Sequence, residues 1–298
     1  MIQSDTFIDL LIFGTQMEDV LEPFRVGDLA IYPNYDVRKA IGEFDQNTIL
    51  IAVKSGAVFS KYRQSMDSKV VFPSLDIEDA GLLPFRLFKG GWISAVRIGP
   101  ELKNKVERIY HGFNQSTKQT SIAQTRYLIK KGELPKIGAI HQRLTFVPEG
   151  YLEFALKLFS RSYDFWINGQ LINCLVDLAD AFESIASREG DGNLRTLCLR
   201  TALLLGDNLY DRVQIQEEVK KFYDVKSRAA NMRATSDNDF YQHFLIVEDS
   251  QSLVRAIIRA SVAILGIPQE ERSSGLPDTM EIVIDKYLFE ALSRNQRL

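Results

Sequence analysis

Apolar positions along the chain change their period near its middle. In the first half they come in short β-branched or aromatic runs, "DLAIYPN", "TILIAVKSG", "KVVFPS" and "GGWISAVRIGP", each bounded by Gly, Pro, Asn or Ser. Such runs predict strands. "FIDLLIFG" near the start reads as a further short strand or helix, "DAGLLPFRLFK" as a short helix, and "ELKNKVERIYHGF" as a helix after the last strand. In the second half the apolar residues step by three and four. Leu171, Leu175, Leu178, Phe182 and Ile185 fall on one helix face, with Asn168 placed to cap it. "GYLEFALKLFSRSYDFW" predicts the helix before it. "GNLRTLCLRTALLLG", apolar nearly all round, predicts a buried one after it. A long helix from about Asn208 to Met232 follows. Then come a polar loop "RATSDNDF", a helix through "SQSLVRAIIRASVAILG" stopped by Gly266 and Pro268, and a last helix through "DTMEIVIDKYLFEAL". The expected fold is α+β: a β-rich domain over 1–116, a connecting segment over 117–149 and an all-α bundle of five or six helices over 150–298.

One residue breaks the pattern of the long helix. At 100° per residue, Val219, Phe222 and Ala229 lie within about 40° of Ile215, and Lys226 falls inside that apolar stripe at about 20°. Arg233 returns to about 0°. Two readings stand. Either the stripe runs off the core and both cations reach water along their stems, or this end of the helix faces something specific, a phosphate or the carboxylate of a partner chain. Lys220, Lys221, Lys226, Arg228 and Arg233 stand against Asp224 alone, a local positive excess in a chain of net charge −3. With no global basic excess, any nucleic-acid contact has to come from such a patch.

Composition narrows the remaining chemistry. No apolar run reaches the roughly 20 residues of a membrane helix, and the acid-flanked "FIDLLIFG" is a poor signal peptide. Cys174 and Cys198 stand in apolar helical runs, which reads as buried free thiols in a cytoplasmic protein. His111, His141 and His243 are too scattered for a metal site. There is no glycine-rich phosphate loop, so neither metal nor cofactor is expected. Asp177 and Asp180 stand one helical turn apart and read as a solvated face. Glu183 and Arg200 read as an ion pair between helices. Phe222 and Tyr223 have helical spacing and read as core, with base stacking as the alternative.

Three segments in order, "LVDLADAFESI", "LCLRTALLLG" and "DRVQIQEEVKKFYDVKSRAANM", resemble the HEPN-domain proteins, and among them the Apea-like group of prokaryotic proteins. The resemblance spans about Tyr151 to Gly266, with Asp177 and Glu183 at the acidic positions and Arg200 at the arginine position. It implies a helical bundle that commonly dimerises, and a metal-independent ribonuclease motif of arginine, polar residue and histidine. This chain departs from that motif: Lys226 and Ser227 occupy the first two positions, and Asn231 the position of the histidine. An amide cannot exchange protons near pH 7 as an imidazole does, and an ammonium lacks the planar grip of a guanidinium on phosphate. The leading expectation is a catalytically degenerate, homodimeric protein of prokaryotic stress or anti-phage defence. It would bind RNA, itself or a partner through Lys220, Lys226, Arg228 and Arg233. The alternatives are an active ribonuclease with a rearranged site in which His243 moves the proton, and a dimerising scaffold without nucleic-acid contact.

Overall fold

The computed structural model describes residues 6–42, 46–54, 56–64, 75–119, 126–147, 150–187, 194–229 and 237–266. Positions 54, 64, 112–119, 228–229 and 237–244 are described for their backbone alone. The chain divides into two units. The first is Met1–Thr145 with Tyr163–Gln170, and the second is Phe146–Ser162 with Leu171–Leu298. The α+β class read from the sequence is the fold observed: an antiparallel sheet followed by a run of helices.

In the first unit a five-stranded sheet is formed by β1 (Thr6–Phe13), β3 (Phe24–Val26), β4 (Leu29–Tyr32), β5 (Val58–Gln64) and β6 (Ser94–Arg97). The order is β3-β4-β5-β1-β6, every pair antiparallel. β1 sits between β5 and β6 and is buried on both faces from Leu10 to Phe13, which is why its sequence is a continuous apolar run rather than an alternation. One face of the sheet carries Ile8, Leu10, Ile12, Leu29, Ile31 and Tyr62, packed with Leu82 and Phe85 of α3 (Ile77–Phe88) and Ile137 of α5 (Leu134–Leu144). A second, parallel ladder joins β2 (Thr15–Glu18) to β7 (Tyr127–Lys130). Gly14 turns β1 into β2 at φ 76°, and any side chain there would overlap Trp92. Helices α1 (Val37–Ile41), α2 (Gln46–Lys54) and α4 (Leu102–Gln119) complete the unit.

Several elements differ from the sequence reading. "TILIAVKSG" is not a strand; it forms α2. Thr48 and Ala52, four apart, point inward, while Leu50 and Val53 stay exposed. A short β-branched run does not by itself separate the two periods, and packing decided it. The segment 117–149 is more than a connection, because it supplies β7 and α5 to the first unit. "KVVFPS" and the last helix lie outside the described residues.

The second unit takes in most of α6 (Tyr151–Ile167), then α7 (Leu171–Ala186), α8 (Leu194–Leu205), α9 (Leu209–Ala229) and α10 (Asp237–Leu265). α7 buries Leu171, Leu175, Leu178, Phe182 and Ile185, the stripe its spacing predicts. Asn168 does not cap α7. Its amide donates to the Asp164 carbonyl at 2.7 Å and closes the end of α6, while α7 starts at Leu171. Asn208 is the cap of α9: its side-chain oxygen accepts from the Asp211 amide at 3.0 Å. α10 starts earlier than its apolar pattern, so part of "RATSDNDF" is helical backbone. Both cysteines are free and buried.

Candidate binding site on the helical unit

Three acids step along α7 at intervals of three: Asp177, Asp180 and Glu183. Each step turns about 60° short of a full turn, so Asp177 and Glu183 point about 120° apart. They serve different neighbours. Asp177, almost fully buried, takes two bonds of 2.6 Å from the half-exposed Arg161 guanidinium of α6. Glu183 faces α9. Its Oε1 accepts from the Lys226 ammonium at 2.6 Å and from the Tyr223 hydroxyl at 2.9 Å. Asp180 lies between them at the surface. Desolvation pushes its carboxyl above the ordinary value, with Glu183 and Asp177 adding to the push and Lys226 and Arg161 opposing it.

The lysine in the apolar stripe is thereby accounted for within one chain. Val219 and Phe222 continue the stripe into the core, and Lys226 emerges one turn later opposite a carboxylate. The two side chains keep 30% and 36% of their surface exposed, so the pair sits at the rim of the packing and not in a dry interior. Below it, Phe182 meets Phe222 and Tyr223 edge to face, with centroids 5.8 and 6.0 Å apart. The Lys226 ammonium lies 5.6 Å from the centre of the Tyr223 ring. Burial, reinforced by the charge of Glu183 and the hydrogen bond to it, raises the Tyr223 hydroxyl well above its ordinary pKa. A phenol held that firmly to its proton is a donor and not a base near neutrality.

The other predicted site residues are dispersed. Arg200 is buried on α8 and donates to the carbonyl of Ala186 at 3.3 Å, where a cation suits the C-terminal end of α7. The expected Glu183–Arg200 pair is corrected accordingly. Glu183 is reached by the cation of α9, because its face of α7 turns toward that helix. The Ser227 hydroxyl donates back to the Tyr223 carbonyl at 2.8 Å, within its own helix. Lys220 is exposed and bound to Glu217 at 2.6 Å. Arg228 and His243 are described for their backbone alone, on α9 and α10, and Asn231 and Arg233 lie outside the described residues. Among the described residues no three His, Cys, Asp or Glu side chains converge as for a metal ion, and no helix is long and apolar enough to cross a membrane.

Sequence reasoning missed the roles of Tyr223 and Arg161. The signal was the acid at every third position of α7, which calls for cations from two neighbouring helices. The hydrophobic surface of α9 was missed as well. Leu209 and Tyr210 in its first turn are 79% and 73% exposed, and Val213 one turn on is half exposed. Comparison with protein-family models, curated proteins and solved structures gives no match for this chain.

Proposed function

We propose that this protein is a non-cleaving, HEPN-like module whose helical unit works by pairing with a second copy of the chain. The observation that carries the reading is the bond of 2.6 Å between Lys226 and Glu183. The cation that the sequence offered to a phosphate is taken up by a carboxylate of the same chain. Lys220 also meets Glu217, in a more exposed pair. An RNA strand would have to displace Glu183 from Lys226 first. Tyr223, the hydroxyl in contact with Glu183, is driven away from ionisation and does not serve as a base for strand cleavage near neutrality.

The first turns of α9 also expose large apolar side chains, Leu209, Tyr210 and Val213, within about 100° of one another around the helix. Side chains of that size gathered together mark contact surfaces, and a two-fold axis beside such a patch buries it against its own copy. The setting, a prokaryotic stress or anti-phage response, is carried by the family resemblance alone.

Light scattering at micromolar concentration tests the pairing, with a mass about twice that of the chain expected. Leu209→Glu with Val213→Glu should return a monomer of unchanged helical content, because glutamate is a good helix former and the one at position 209 also lies in the first turn. A wild-type monomer at high micromolar concentration, or a dimer indifferent to both substitutions, would sink the reading.

A further inference from the structure

The sheet of the first unit has a second face. Side chains alternate along each strand, so the face opposite the Ile8–Leu10–Ile12 core carries Phe7, Asp9, Leu11 and Phe13 of β1. The pairing register sets Arg63 opposite Phe7, Lys61 opposite Asp9 and Phe59 opposite Leu11. Across the next pairs Ala30 stands beside Lys61, Tyr32 beside Phe59, and Arg25 beside Ala30. This face is divided along the strands. Leu11, Phe13, Phe59 and Val96 are buried, whereas Phe7 is 53% exposed, Arg25 is exposed, and Asp9, Ala30, Lys61 and Arg63 keep part of their surface in water. At the boundary Tyr35, 42% exposed, stacks on Phe59 with centroids 4.5 Å apart, and Tyr32 closes on the same ring at 5.7 Å.

We propose that this open half-face binds single-stranded nucleic acid, with bases stacking on Phe7 and Tyr35 and phosphates meeting Arg25, Lys61 and Arg63. Three cations and one acid occupy these rows, Arg25 and Lys61 toward water and Arg63 with its Nε buried, a positive surface on a chain of net charge −3. The acid does not close it. Asp9 meets Lys61 only at 3.7 Å, with both side chains nearly half exposed, and such a pair holds weakly against a phosphate. Along the strand, the row of Phe7 and the row of Phe59, on which Tyr35 lies, are separated by about 14 Å. Lys61 and Arg25 stand in the row between the two aromatic platforms, with the small Ala30 between them, and Arg63 stands beside Phe7. Alternation of ring and cation is the arrangement that holds unpaired bases by their faces and the backbone by its charge. A protein partner would have to bury Lys61, which lies in the middle row of the face, and lysine is depleted at the centres of protein interfaces. A small nucleotide would need a concave pocket, and strand rows provide a surface instead. A duplex keeps its base faces stacked away from Phe7 and Tyr35.

The experiment is a fluorescence-anisotropy titration of the full chain with a fluorescein-labelled single strand of about 12 nucleotides, long enough to cross one such platform, and with the same sequence as a duplex. Saturable binding of the single strand is expected, weakening with salt at a slope near −2 for three phosphate contacts. Phe7→Ala and Tyr35→Ala should each weaken it by about tenfold. Arg25→Glu with Lys61→Glu should abolish it, and Lys220→Glu with Lys221→Glu in the helical unit should leave it unchanged. Should an alanine variant unfold by circular dichroism, Phe7→Leu or Tyr35→Leu keeps an apolar side chain while removing the ring, and the same loss is expected. Absence of binding at low salt, equal binding of duplex, indifference to the leucine variants, or loss through Lys220 and Lys221 alone would each overturn the proposal. None of these outcomes bears on self-association through α9, which light scattering reads separately.

Discussion

Lys226→Met is the perturbation that separates a lysine serving the bundle from one reserved for a ligand. Methionine keeps the length and apolar stem that continue the Val219–Phe222 stripe, but it cannot donate to Glu183. The structure sets bounds on the cost. An exposed ion pair is worth about 0.2–1 kcal/mol, and a hydrogen bond to a charged group about 1.5–3 kcal/mol where it is shielded. Lys226 and Glu183 are each about a third exposed and meet through a single oxygen shared with Tyr223, so the pair belongs near the lower range. Their coupling should be about 1 kcal/mol. Lys226→Met and Glu183→Gln should each cost about 1 kcal/mol, and the double variant clearly less than their sum. Urea titrations followed at 222 nm, where helices dominate, would read each as a midpoint shift of roughly 0.3–1 M. A coupling within error of zero would refute the structural role of the pair. A loss above about 3 kcal/mol for Lys226→Met would equally refute it, because that is the signature of a buried charge stripped of its partner.

Two further outcomes follow from the packing. Arg161→Ala leaves the nearly buried Asp177 carboxylate without its two-pronged partner and should cost about 2 kcal/mol, reduced from the value for a fully buried pair because Arg161 is half in water; urea midpoints would check it, with Arg161→Lys recovering only part. His141 packs against Gly27 in the turn between β3 and β4, and its burial holds its pKa below the ordinary value, with Asp28 opposing. The proton then favours the unfolded chain, so stability is full above about pH 6.5 and falls as the pH drops through the ordinary histidine pKa toward the lower folded value. His141→Gln should flatten that fall. Acids held above their ordinary value by burial, such as Glu248, act in the opposite sense, so the difference between wild type and variant is the quantity to measure.

The helical half was the more legible in the sequence, because a period of 3.6 sustained over four turns leaves little choice of face. Leu171 to Ile185 of α7 is the clear case. The sheet was less legible for a physical reason that Phe59, Ser60 and Lys61 of β5 illustrate. Long-range pairing with β1 and β4 makes "VFSKYRQ" a strand, and its own composition is too polar to announce one. α2 fails in the opposite direction, being rich in β-branched residues yet helical. The candidate cluster was half visible. The misplaced Lys226 could be read from helix geometry, whereas its partner could not, since sequence spacing does not tell which face of α7 turns toward α8 and which toward α9. Arg200 and Glu183 were each sound candidates for an ion pair, and the packing gave them to different groups.

The parallel ladder between β2 and β7 sets a timetable for the first unit. Thr15 pairs with Tyr127 and Glu18 with Lys130, so a strand made early waits for one made late. Tyr127 and Ile129 are also fully buried in the sheet core, and the Tyr127 hydroxyl donates to the carbonyl of Phe85 at 2.7 Å. At translation rates of about 5–20 residues per second, the interval between the two strands is on the order of ten seconds. Through that interval β2 has no ladder and one wall of the core is missing. The closing of so long a loop is the kind of contact that slows folding most. A chain released before residue 130 would thus carry five strands able to pair and an apolar flank with nothing to cover it. The stretch that reads as a linker is the latch on which closure of the first unit's core depends.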